Sequence, residues 1–289
     1  MRKSTKLVIG AMLLVAILVE SCTKTIEPTS PQFKTTKDFD ATVINKWLDV
    51  YILADGNITG YRPPVAARVL AYTGLAGYEA AAPGMLDYQS IASNFPELKL
   101  PKAETGKEYH WAESVNAAYW STMKNFFPIT GQKNVARFDS LGVALTEQYR
   151  KECDTATFSR SKKFGEAVAK VINDWAFVDG GEDGYRNNKP ASYVPPVGEG
   201  LWRFTGPDFR HALLPYWGKV RSMSLKPEDK IALPPIKYST DKGSDFYKQA
   251  LDTYTKSKNI TAEQRWIAEF WSDDEPLNTF DPAMKAFYY

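Results

Sequence analysis

Cysteine and histidine are scarce in this chain, because its 289 residues contain only two of each. So few thiols and imidazoles exclude a disulfide scaffold, a zinc finger and a multi-histidine metal centre. The sequence also lacks a G-x-S-x-G motif, a G-x-x-x-x-G-K phosphate loop and a dinucleotide fingerprint after a strand. Any chemistry must therefore come from other residues or from elsewhere, and no metal site is predicted in this chain.

An excess of charge of one sign is missing as well. The 36 Lys and Arg residues are nearly balanced by 34 Asp and Glu residues, and the net charge of +2 comes from the first 22 residues. The remainder is neutral, which argues against nucleic-acid binding through bulk charge. With 44% hydrophobic and 24% charged residues, the composition is that of an ordinary globular protein with a sizeable core.

Residues 1–22 have the layout of a secretory signal, with a basic start, an apolar run and a small residue directly before Cys22. This ending resembles the bacterial lipobox, although Glu20 departs from the usual pattern. We expect export across the bacterial inner membrane, lipidation of Cys22 and anchoring in the cell envelope, in the periplasm or at the cell surface. The alternatives are an ordinary signal peptide and an uncleaved anchor. Residues 23–37 read as a flexible tether, and Cys153 as a half-buried structural thiol.

Apolar residues recur at helical spacing through most of residues 38–289, whereas strand signals are almost absent. The fold class is therefore predicted to be all-α, a helical bundle. The periodicity predicts helices over 38–53, 63–82, 107–126, 135–149, 164–175 and 244–256, and one more after the capping box that starts at Thr261. Residues 180–242 are rich in Pro, Gly and aromatics without a period, which predicts a long loop that is either functional or packed over the bundle.

Two acidic clusters invite a functional interpretation, as a calcium loop in the first and as paired carboxylates in the second. Asp179-x-x-Glu182-Asp183-Gly184 has the carboxylates and the turn glycine of a calcium loop, but the position of the bidentate Glu is Pro190. We therefore predict a solvated turn there. Residues 273–275 directly follow a helix end, and we predict a solvated loop there too.

Basic and aromatic residues alternate over residues 201–226, an arrangement that suits an oxyanion ligand. The candidate ligand contacts are Arg203, Arg210, His211 and Arg221. The alternative is that these cations pair with carboxylates of neighbouring helices while the aromatics cover the core.

Three stretches of the chain, in order, are similar to vanadium-dependent haloperoxidase-like proteins of the type 2 phosphatidic acid phosphatase superfamily. They are Pro64–Tyr72 with its Ala-rich continuation to Ala82, the loop Gly200–Phe209 with Leu214–Arg221, and Ala268–Asp274. This resemblance implies an all-helical fold. In the family it also implies a site that holds vanadate, for halide oxidation, or phosphate, for ester hydrolysis.

The family's oxyanion motifs are absent from the chain. Arg62-Pro63 has Asp55 where K-x-x-x-x-x-x-R-P requires Lys, no P-S-G-H occurs, and no His follows Ser159-Arg160 at the required spacing. No residue inherits a catalytic role from the resemblance.

We therefore expect the N-terminal part of a secreted haloperoxidase- or acid-phosphatase-like lipoprotein, without the catalytic half and inactive by itself. Vanadate is expected only in a full-length relative, and the expected partners are a membrane, through the lipid anchor, and the missing catalytic half. The alternative is a non-enzymatic surface lipoprotein that binds a ligand such as a glycan on Trp202, Trp217 or Trp271.

Overall fold

The regular structure of this chain is helical throughout the described residues. The computed structural model describes residues 33–55, 63–127, 132–182, 184–205, 209–230 and 232–271. Within them lie seven α-helices, which confirms the predicted fold class. They are α1 (Thr42–Asp55), α2 (Pro63–Ala81), α3 (Trp111–Phe126), α4 (Gln132–Tyr149), α5 (Thr155–Phe177), α6 (Asp245–Lys258) and α7 (Ala262–Phe270).

Helix α3 lies at the centre of the core and packs on α1, α2, α4 and α5. Its small and apolar side chains are buried on nearly every side, which is the pattern of a helix enclosed by its neighbours. Gly165 of α5 permits an especially close approach, because a Cβ atom there would lie 2.0 Å from the Ser114 carbonyl oxygen of α3. The pair α3 and α5 thus forms the most tightly packed seam of the bundle.

Polar caps mark the starts of several helices, and three of them bear on the predicted starts. Asp40 Oδ1 accepts a hydrogen bond of 2.8 Å from the Thr42 amide, so α1 begins after this residue and not at Asp38 as predicted. His110 caps α3, which therefore begins later than the predicted Lys107. The capping box predicted at Thr261 is present and opens α7.

The described residues between α5 and α6 contain no α-helix, which confirms the predicted loop. Within its described residues the regular structure consists of two 3₁₀ turns, Trp217–Lys219 and Pro227–Lys230. Four of its side chains, Tyr185, Leu214, Trp217 and Met223, pack against the core. This part of the loop is therefore held on the bundle.

Candidate functional site

The loop is fixed to the bundle by a buried ion pair between α2 and the end of α5. Arg68 Nε donates to Asp179 Oδ2 at 2.7 Å, and Nη2 donates to Oδ1 at 3.1 Å. The two side chains are 6% and 0% exposed. A bidentate pair of this kind fixes the orientation of both groups and is costly to break inside a protein.

Two further donors hydrogen-bond to the Asp179 carboxylate. The Tyr72 hydroxyl donates to Oδ2 at 2.9 Å, and the Gly181 amide donates to Oδ1 at 2.7 Å. Arg68 also donates to the Ala176 carbonyl and to Glu182. Burial, together with the charge of Asp179, raises the pKa of Tyr72, so its hydroxyl stays a donor at neutral pH. We call these four side chains, Arg68, Tyr72, Asp179 and Glu182, the loop anchor.

The predicted solvated turn at Asp179 is wrong for that residue. Its carboxylate is buried because Arg68, 111 positions earlier in the chain, neutralises it across the helix interface. Asp183 and residues 273–275 lie outside the described residues. Among the residues that are described, no cluster of His, Cys, Asp or Glu could hold a metal ion.

One of the predicted ligand contacts, Arg221, makes its contacts with Trp175 and with the loop anchor. Its Nη1 donates to the Trp175 carbonyl at 2.8 Å, and the guanidinium lies 4.4 Å from the centre of the Trp175 ring. Its backbone amide also donates to the Asp179 carbonyl at 2.9 Å. Arg221 therefore holds the later part of the loop against the loop anchor. Its contact with an oxyanion stays a prediction.

The other predicted contacts lie on the surface of the loop. Arg203, Arg210 and His211 are exposed. The His211 ring meets Phe204 edge to face at 5.1 Å, and Phe204 meets Trp202 in the same manner at 5.3 Å. The row formed by Trp202, Phe204 and His211 is thus open to water, and Arg203 and Arg210 are its neighbours in sequence. Contact of Arg203, Arg210 and His211 with a ligand also stays a prediction.

A small cavity of about 120 Å³ lies next to the loop anchor. Its lining combines glycines and apolar residues of the loop, among them Gly184, Leu214 and Trp217, with the polar residues Asn187 and Tyr216. A Cβ atom on Gly184 would lie 2.7 Å from the Trp217 ring, so this glycine is needed for the close approach. Leu214 adopts a φ of 48° and donates its amide to the Asn188 carbonyl at 2.6 Å. Among the described residues, no charged side chain lines the cavity.

A second buried polar group, centred on Glu113 of α3, was missed by sequence reasoning. The Glu113 side chain accepts hydrogen bonds from Asn116 at 3.2 Å and from Thr146 at 3.5 Å. Asn116 in turn accepts a hydrogen bond from the Trp47 indole at 3.1 Å. Burial raises the pKa of Glu113 to about 7, so this carboxyl changes its charge near neutral pH. The only local signal was an acid among the apolar residues of α3.

His110 begins the same helix and was also missed. Its Nδ1 accepts a hydrogen bond from the Glu113 amide at 3.2 Å, so Nε2 carries the proton and donates to Glu152 at 3.0 Å. The ring packs between Phe39 and Tyr149. Burial lowers the pKa of His110, which keeps the imidazole neutral. This histidine is a helix cap with both nitrogens satisfied.

The three candidate tryptophans have different neighbours. Trp202 contacts Phe204, Trp217 packs against the core, and Trp271 contacts Phe270. Glycan binding to them stays a prediction. Cys153 is half-buried as predicted, with its sulfur 3.6 Å from the Tyr149 carbonyl, and burial raises the pKa of its thiol. Cys22 lies outside the described residues.

The described residues do not fit a vanadate or phosphate group. Such a group needs cations and a histidine that converge in a pocket shielded from water. Here His110 is hydrogen-bonded to Glu152, Arg68 to Asp179 and Arg221 to the Trp175 carbonyl, whereas His211 is exposed.

The part of the chain that the structure describes has no helix long and apolar enough to cross a bilayer.

Comparison with solved structures finds a similarity to a protein described as the first bacterial vanadium-dependent iodoperoxidase. The two structures superpose with a TM-score of 0.58 at 26% sequence identity. The match covers 83% of this chain and 54% of that chain, so this chain spans about half the length of the iodoperoxidase. No model of a protein family matches the sequence, and no curated protein matches it. The fold of the chain is therefore haloperoxidase-like.

Proposed function

We propose that this chain is the helical, non-catalytic part of a haloperoxidase- or acid-phosphatase-like lipoprotein of the bacterial envelope. Its bundle supports a vanadate- or phosphate-binding site that is built from residues other than those of this sequence. Cys22 is the lipidated residue that anchors the protein after the leader has been removed.

The similarity to the vanadium iodoperoxidase is the observation that carries this proposal. Two further observations support it. The oxyanion motifs of the haloperoxidase-like proteins are absent from the sequence, and the buried Arg68 and the half-buried Arg221 already make their contacts within the protein. Such a body can position and cover a reactive site, but it supplies neither the converging cations nor the histidine that the chemistry needs.

The chain purified without residues 1–22 is expected to show no vanadate-dependent oxidation of iodide or bromide by peroxide. It is also expected to show no hydrolysis of a phosphomonoester. Activity would be followed by halide oxidation in the presence and absence of added vanadate, and by phosphate release. Native material from the cell envelope, assayed in parallel, is expected to show one of the two activities.

A double variant, Arg203→Ala with His211→Ala, provides the matched control for the isolated chain, because it removes two exposed side chains that were predicted to contact an oxyanion. Turnover by the isolated chain that this variant abolishes would contradict the proposal and assign a site to the loop. Native material inactive in both assays would contradict it as well.

A further inference from the structure

Helix α6 carries an apolar stripe that no described part of the chain buries. Tyr247, Ala250, Leu251 and Tyr254 follow the i, i+3, i+4, i+7 spacing of one helix face. Leu251 is 49% exposed and Tyr254 is 60% exposed, and α6 has no buried residue. The opposite face is polar and carries the ion pair between Lys256 and Asp252. The helix is therefore amphipathic, with its apolar side toward solvent.

Helix α7 repeats the arrangement. Ile267 is 43% exposed and Trp271, at its C-terminal end, is 70% exposed. Like α6, the helix contains no buried residue. Helices α1 to α5 differ, because their apolar side chains supply the buried core. Apolar stripes that remain exposed on a folded protein usually mark a contact surface.

The occupant follows from the comparison with the iodoperoxidase. Just under half of that structure has no counterpart in this chain. A helical segment that completes the fold would bring an apolar face of its own, which is what each stripe requires. We propose that the stripes of α6 and α7 are the docking surface for the polypeptide segment that completes the haloperoxidase-like fold and carries its oxyanion motifs. This inference rests on the proposed function.

The charges of α6 argue against a lipid surface as the occupant. Helices that lie on membranes are usually rich in Lys and Arg on their polar face. In α6, three lysines are opposed by Asp245 and Asp252, and Lys256 is already paired with Asp252. The polar face is therefore nearly neutral, and the apolar face suits a protein partner.

Photo-cross-linking in the native cell tests the docking surface. Benzoylphenylalanine would replace Leu251 in one variant and Trp271 in another, and the control would replace Gln249, which is exposed on the opposite face of α6. The cross-linked peptides would be sequenced by mass spectrometry. We expect both stripe positions to yield peptides from a polypeptide that carries the K-x-x-x-x-x-x-R-P and P-S-G-H motifs, at least tenfold above the control.

Cross-links to a second copy of this chain or to lipid, or yields no higher than at position 249, would overturn the inference. The unfolding midpoint of each purified variant should stay within about 2 °C of the parent, since substitutions at exposed sites have small effects. A large drop would show that these side chains are core residues and would also overturn it. The proposed function is tested separately by the activity assays, so native material that is active but cross-links elsewhere would refute the docking surface alone.

Discussion

Replacing Asp179 by alanine is expected to destabilise the chain by about 3–5 kcal/mol, the range found when one partner of a buried ion pair is removed. The variant leaves the Arg68 guanidinium charged and buried, and it also removes the acceptor of the Tyr72 hydroxyl and of the Gly181 amide. The free energy of unfolding would be measured by urea titration at pH 7, followed by circular dichroism.

Asp174→Ala is the matched control, because Asp174 lies five residues before Asp179, in the last turns of α5, and forms an exposed pair with Lys170. Exposed pairs of this kind contribute little, so this variant should behave like the parent. Adding Arg68→Met to Asp179→Ala should recover part of the lost stability, since both charges of the buried pair are then removed and Glu182, the other partner of Arg68, is partly exposed to water. An Asp179→Ala variant as stable as the Asp174→Ala control would contradict the assignment of the loop anchor.

Glu113→Gln is expected to make the chain progressively more stable than the parent as the pH rises from about 4.5 to about 7. In the folded parent, burial raises the pKa of Glu113 from 4.5 to about 7, whereas the unfolded chain keeps the ordinary value. The protonated carboxyl therefore favours folding below pH 4.5, and this contribution is lost by the time the pH passes 7. The shift corresponds to roughly 3 kcal/mol, at 1.36 kcal/mol for each pKa unit.

The difference between the two free energies of unfolding isolates Glu113. His110 acts in the opposite direction, because burial lowers its pKa and its contribution is lost as the pH falls below 6.5. Since His110 is present in both proteins, its effect cancels in the difference. Glu147→Gln, at an exposed position on α4, is the control and should leave the free energy of unfolding at pH 7 close to that of the parent, because exposed ion pairs contribute little. A constant difference for Glu113→Gln between pH 4 and pH 8 would contradict the buried, titrating carboxyl.

The helices could be predicted because each carries its own signal. The stripe of Val43, Trp47 and Tyr51 placed α1, and the pair Pro63-Pro64 placed the start of α2. Helix starts were less certain, because capping by Asp40 and His110 depends on where a side chain folds back onto the backbone. Such contacts are local, but the residue type alone does not choose between neighbouring positions.

The buried polar groups could not be predicted, because their partners are distant in sequence. Asp179 in isolation has the composition of a solvated turn, and only the packing of α2 on α5 brings Arg68 to it. Glu113 is buried because Thr146 of α4 and Asn116 of its own helix hydrogen-bond its carboxyl. Neither the net charge nor the positions of the helices predict which charged residues are buried in the core.

The intact mass and N-terminal peptide of the native protein test the central claim most directly. We predict that the first residue of the native protein is lipidated Cys22. It also predicts that the oxyanion motifs are found either in a polypeptide heavier than the 32.5 kDa of this chain or in a tightly bound second polypeptide. A single unlipidated polypeptide no heavier than this chain, without a partner that carries the motifs, would contradict the account.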